Sequence, residues 1–117
     1  GAPSLDDLLA RYPLGNRDFR ADLLATTDEH SVFLVQSRRG VPAHFHRTHR
    51  ERAYVLAGSG TCYVDTRSWP AVAGSAFRIE SGLVHRVDAS GDVPLTALVV
   101  YEPPMTAFDA DRVDVGR

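Results

Sequence analysis

Apolar and polar residues alternate with a period of two along most of this chain, and only its first dozen residues follow a helical spacing. In SLDDLLARY, residues 4 to 12, Ser4 stands as an N-cap with Asp7 three residues on. Asp6 and Asp7 lie at the positive end of the dipole, and Leu5, Leu8 and Leu9 share one face. A short helix is predicted there, ended by Pro13 and Gly15, as a packing element that closes one end of the fold. Residues 17 to 26 set Phe19, Ala21 and Leu23 against Arg20 and Asp22, the signature of a half-buried strand. A polar turn from Thr26 to His30 follows, with His30 read as a solvated loop residue. The β-branched run SVFLVQS, residues 31 to 37, completes a predicted hairpin.

The same grammar continues. Arg38-Arg39-Gly40 makes a turn, Pro42 enters a strand, and Ala53 to Ala57 forms another that ends at Gly58-Ser59-Gly60. TCYVDT is strand-like, a loop holds Trp69 and Pro70, and short apolar stretches surround Val72 and Phe77. A turn at Ser81-Gly82 leads to a strand at Leu83 to Val87, and Ser90-Gly91-Asp92 turns into PLTALVVYE, the most apolar strand, stopped by Pro103-Pro104. The tail, residues 105 to 117, is polar and acidic with Phe108 and Val113 as isolated apolar residues, and is expected to pack on a neighbour or to fray. Many short strands and almost no helix predict an all-β antiparallel sandwich or barrel.

Composition narrows the function classes. A chain of 117 residues makes one domain, 1 to 117, with its core at about 17 to 104. A formal charge of −2 gives no electrostatic reason to expect a nucleic-acid partner. All 13 basic residues are Arg, so no lysine Schiff base or lysine general base is available. The single cysteine, Cys62, allows no intrachain disulfide and reads as a buried, inert thiol. No apolar run is long enough to span a membrane and no signal-peptide pattern opens the chain, so a cytoplasmic protein without membrane contact is expected; Gly1 reads as a remnant of tag removal.

The chemistry concentrates in GVPAHFHRTHRERAYVLAGSG, residues 40 to 60, where His44, His46, His49 and Glu51 fall within eight residues. His44 and His46 are two apart, so a strand projects both imidazoles to one side. If the strands flanking the turn Arg47 to Arg50 pair antiparallel, Glu51 returns to the level of His46. His85, in IESGLVHRV, is a fourth candidate. Imidazole and carboxylate without thiolate suit one divalent transition metal ion, Fe, Mn, Ni, Zn or Cu. The alternative is a histidine-rich turn that holds no ion.

These residues resemble the two motifs of the cupin superfamily. Gly40, His44, His46, Glu51 and Gly58 match the first, with a short gap after the opening glycine. Gly74, Gly82 and His85 match the second, with Glu80 where its proline and Ala89 where its asparagine are expected. The resemblance spans roughly residues 30 to 104 and implies a jelly-roll barrel, the double-stranded β-helix. It also implies His44, His46, Glu51 and His85 as metal ligands. His49 is then a solvated turn residue, or a group behind the ligands, or a proton shuttle at the mouth; a site using His49 in place of Glu51 stays open.

Strand parity extends the sketch to a tentative pocket of Phe33, Val35, Leu98 and Val100, to which Arg78 and Tyr101 are added as groups able to orient a substrate, alongside Arg52, Tyr54 and Tyr63. The family implies a small metal-dependent enzyme acting on an oxygen-bearing small molecule, a dioxygenase or a Lewis-acid isomerase, cyclase or lyase. The other reading is a non-catalytic module that binds or senses a small molecule. Cupins of this size also imply a homodimer that exchanges residues 17 to 37.

Overall fold

A computed structural model describes residues 4–116; Gly1 lies outside them. Helix α1 (Leu5–Arg11) starts as the sequence predicts. Ser4 accepts from the Asp7 amide, and the Asp7 carboxylate accepts from the Ser4 amide in return. Ten strands follow: β1 (Phe19–Thr26), β2 (Ser31–Ser37), β3 (Gly40–His46), β4 (Arg50–Ala57), β5 (Ser59–Val64), β6 (Arg67–Val72), β7 (Ala76–Ile79), β8 (His85–Ser90), β9 (Leu95–Glu102) and β10 (Arg112–Asp114).

They form two five-stranded antiparallel sheets, ordered β1-β2-β9-β4-β7 and β10-β3-β8-β5-β6, a jelly-roll barrel. The predicted hairpin is β1 against β2, with a bulge between Leu23 and Ala25. Its polar turn is fixed by the Thr27 hydroxyl, which accepts from the amides of Glu29 and His30. The N-terminal segment is strapped to this hairpin's outer side. Gln36 donates to the Tyr12 carbonyl at 2.7 Å, and Arg38 to those of Gly15 and Arg17. Residues 19 to 37 pair within their own chain, β2 lying against both β1 and β9.

Three expectations are corrected. The strands flanking the Arg47–Arg50 turn do not pair: β3 belongs to one sheet and β4 to the other, so the turn crosses between sheets. His46 and Glu51 therefore meet across the barrel interior. The stretch holding Trp69 and Pro70 is strand β6, where proline is tolerated because β6 lies at a sheet edge, its outer side needing no ladder bond. The tail does not fray. Its β10 pairs with β3, setting Arg112 opposite His46 and Asp114 opposite His44.

Two apolar clusters fill the interior. Val55, Cys62, Val64, Ala71, Ile79 and Leu95 form one; Phe33, Val35, Val99, Tyr101 and Met105 form the other, joined by Phe108 from the tail. Burial, with the charge of Glu51 adding to it, pushes the Cys62 thiol up to about 11. Among the described residues no helix is long and apolar enough to cross a membrane.

Candidate metal centre

Three imidazoles from one sheet face one carboxylate from the other. His44 and His46 come from β3, and His85 opens β8 directly opposite His44. Glu51 comes from β4, on a stretch that pairs with Ile79 on one side and Tyr101 on the other. All four are buried, and one donor atom from each lies within 4.8 Å of the other three.

Local structure explains the aim of each ring. Between Val41 and His44 the ladder to β8 slips by a residue, a bulge at Pro42-Ala43. Val41 and His44, three apart, consequently both line the barrel interior, which unbroken alternation would forbid. Beyond the bulge His44 and His46 share a face. The turn that carries His85 closes without the expected proline. The Leu83 amide donates to the Glu80 carbonyl, and the Gly82 amide, at a positive φ of 84°, donates to His46 O at 2.8 Å. Ala89, in place of asparagine, simply continues the ladder opposite Gly60.

Hydrogen bonding orients the rings. His44 Nδ1 lies 2.7 Å from Pro42 O, His85 Nδ1 3.0 Å from Leu83 O, and His46 Nδ1 2.8 Å from Asp111 Oδ1. Each Nδ1–H thus donates outward and leaves a lone pair on Nε2, the tautomer metal-binding imidazoles need. At the centre, Glu51 Oε1 sits 3.0 Å from His85 Nε2 and 3.4 Å from His46 Nε2. Yet none of these three buried atoms has a properly directed hydrogen-bond partner. Burying them unpaired would cost several kcal/mol. Converging, unpaired N and O donors with no thiolate fit a divalent first-row ion.

Electrostatics separates the rings. Burial, reinforced by the neighbouring His85, pulls His44 down to about 4. His85 is also buried, but the Glu51 carboxylate 3.0 Å away outweighs that and raises its pKa. Tyr101, wholly buried, is raised well above the ordinary phenol value by burial and by Glu51, so its hydroxyl stays protonated.

His49 is not among the converging donors. It is buried rather than solvated, and its Nδ1 lies 2.8 Å from Asp111 Oδ2. Of the expected pocket, Val35 and Tyr101 line a chamber that opens from the metal donors, together with Val41, Ile79, Leu95, Ala97, Val99 and Phe108. Phe33 faces the interior behind it, packed edge-on against Tyr101 and Phe108. Leu98 and Val100 do not line it. On β9 the inward residues are Leu95, Ala97, Val99 and Tyr101, so Leu98 and Val100 face outward, opposite Tyr54 and Arg52. The inward parity of β9 had no marker in the sequence, whereas histidines mark that of β3. Arg78 is exposed on the outer face and lines a charged surface groove with Arg52, Tyr54 and Glu102. Tyr63 stacks beneath Arg86, 4.1 Å from ring centre to guanidinium carbon.

The residue that sequence reasoning missed is Asp111. Its carboxylate accepts from His46, His49, the Thr48 hydroxyl and the amides of Thr48 and His49, all within 3.1 Å. Partial burial raises its pKa, but the bonds from His49, the Thr48 amide and His46 together lower it far below the usual carboxylate range. An isolated Asp in an acidic tail carries no sequence signal; only the pairing of β10 with β3 reveals it.

Comparisons with known proteins agree with this geometry. Among curated proteins none matches the chain. Solved structures share its fold at low identity. A Bacillus halodurans protein, BH2720, has a TM-score of 0.74 and 23% identity over 92% of this chain and 83% of its own. KdgF from Halomonas sp. has 0.69 and 19% over 76% and 83%. The nucleoside dehydratase Pac13 from Streptomyces has 0.69 and 17% over 84% and 78%. The Cupin domain family matches residues 31–101, which carry all four converging donors as well as most of both sheets, and the chain belongs to that family.

Proposed function

We propose that this cupin is a small metal-dependent enzyme that acts on an oxygen-bearing molecule whose remaining part is short and apolar. The observation that carries the reading is the set of orphaned buried donors, His46 Nε2, His85 Nε2 and Glu51 Oε1, of which Glu51 and His85, with His44, line an otherwise apolar chamber. His44, His46, Glu51 and His85 would hold the ion. A bound divalent ion supplies Lewis acidity or, if redox-active, activation of dioxygen. Held by these four donors, the ion would be able to take a substrate oxygen as a further ligand.

The chain's own residues define the rest. The chamber has a volume of about 80 Å³, whereas a dry cavity of about 150 Å³ holds benzene, so the enclosed part of a ligand is a few non-hydrogen atoms. Val35, Val41, Val87, Leu95 and Val99 exclude water from it. Away from the donors, and among the described residues, only Ser37 and Tyr101 contribute side-chain polar groups to its wall. Ser37 is already engaged with both backbone groups of Gly40. Tyr101, kept protonated, is left to donate a hydrogen bond to a substrate oxygen. A sugar or nucleoside, each with several hydroxyls, would leave most of them unpaired here.

The test is elemental analysis of protein purified without added metal, followed by turnover of short oxygenated substrates with and without dioxygen. His46→Ala should abolish both metal uptake and turnover. Saturable ligand binding without any product in the wild type would favour the sensing module over the enzyme. Homodimerisation is part of the proposal, supported by Tyr54 standing exposed beside half-buried Leu98 and Val100 on the first sheet's outer face. A monomer by gel filtration at micromolar concentration would count against it.

A further inference from the structure

We propose that Asp111 is a positioning residue whose carboxylate fixes His46 as the Nδ1–H tautomer and so turns the His46 Nε2 lone pair toward the other donors. For its consequence on metal affinity the inference rests on the reading above; the tautomer itself does not depend on it.

The contrast among the three histidines carries the argument. His44 and His85 are each oriented by a carbonyl two residues earlier on their own backbone, Pro42 O and Leu83 O. Such contacts come with the local turn and need nothing from elsewhere. His46 has no local acceptor of this kind. Its Nδ1 is met by a side chain 65 residues away, at 2.8 Å. Without that partner a buried imidazole is free to carry its proton on Nε2, where a lone pair is wanted, and to pair it with Glu51 Oε1 at 3.4 Å. Asp111 removes that choice, because an ionised carboxylate only accepts.

The carboxylate is itself rigidly held. One oxygen serves His46, and the other takes the Thr48 amide at 2.8 Å, the His49 amide at 3.0 Å, the Thr48 hydroxyl at 3.1 Å and His49 Nδ1 at 2.8 Å. The turn after His46 and the strand after Asp111 are clamped by one group. The Arg47 amide donates to Asp111 O at 3.2 Å, and Arg112 pairs directly with His46 in the ladder. The C-terminal segment, outside the stretch the family match covers, thereby becomes part of the site's machinery.

Nitrogen-15 NMR of the metal-free protein reads the tautomer directly. In the wild type the neutral His46 ring should show a protonated Nδ1 and a bare Nε2, and in Asp111→Ala that preference should vanish while His44 and His85 keep theirs. Cobalt(II) titration should then show affinity weakened about 10- to 100-fold in Asp111→Ala. Asp109→Ala, which removes an exposed carboxylate in the same segment, should leave tautomer and affinity unchanged. A wild-type His46 protonated on Nε2 overturns the proposal even if Asp111→Ala fails to fold, and so does an Asp111→Ala protein with the wild-type tautomer and cobalt affinity. A wild type that shows the Nδ1–H form yet takes up no cobalt sinks the metal reading and leaves the role of Asp111 standing.

Discussion

The interior of this barrel contains two kinds of burial. Around Cys62, apolar side chains from β4, β5, β6, β7 and β9 fill the space, and the one polar atom among them is a thiol pushed up to about 11, inert as a nucleophile. Around Glu51, equally buried groups are polar, mutually close and unpaired. The first region is complete as it stands, since its stabilisation comes from area removed from water. The second is costly by itself and becomes favourable only when something binds. Buried chemistry without partners marks where the fold gives up stability for function.

The largest effect that tests this contrast is metal binding itself. A divalent ion at 100 times its dissociation constant should stabilise the protein by about 2.7 kcal/mol, a rise in melting temperature on the order of 10 °C. Calorimetry with and without chelator measures it, and His85→Ala should erase most of the rise. If the chelator shifts nothing in protein that carries the ion, the unpaired donors do not mark a binding site.

A smaller effect is expected at the complete end. Cys62→Ser places a hydroxyl among apolar neighbours and should cost about 1–3 kcal/mol in chemical denaturation, with cobalt affinity unchanged. Alkylation of Cys62 at pH 8 should proceed only through unfolded molecules. Fast modification of the native protein would show that this cluster is not sealed.

The smallest effect is in the pH profile of the metal-free protein. Folded His44 has a pKa of about 4, below its unfolded value of roughly 6.5, so between these the unfolded chain binds more protons. Its neutral form contributes fully above pH 6.5 and that contribution fades as pH falls toward 4. His85 has the opposite sign: its raised pKa gives stability below about 6.5 that is lost as pH rises through the folded value. His44→Asn should flatten the acid limb of a melting-temperature profile and His85→Asn the neutral-to-alkaline limb. Identical changes in both limbs would contradict the assignment.

Much of this was legible in the sequence, for identifiable reasons. The capping box at Ser4, the hairpin of residues 19 to 37 and the shared face of His44 and His46 follow from local spacing, and local spacing is what a sequence displays. What was missed depends on which strand pairs with which. The expected pairing across Arg47–Arg50 failed because the chain changes sheets there. The outward direction of Leu98 and Val100 has no sequence cue, because PLTALVVYE is apolar at almost every position and alternation offers no face to choose. Asp111 was invisible because its partners lie more than 60 residues away, the farthest being His46 at 65.

The bulge at Pro42-Ala43 has a corollary for how this site tolerates change. Substituting exposed Pro42 alters only a side chain at the surface. Removing one residue of the bulge would leave Val41 and the first imidazole two apart, so that plain alternation would still point both imidazoles inward. The spacing that matters is the one between His44 and His46, not the length of the bulge before them. Point variants at 42 should retain cobalt binding, and so should a codon deleted between 41 and 44. Deleting the codon for Phe45 should lose it, because His44 and His46 would then be adjacent and face opposite sides.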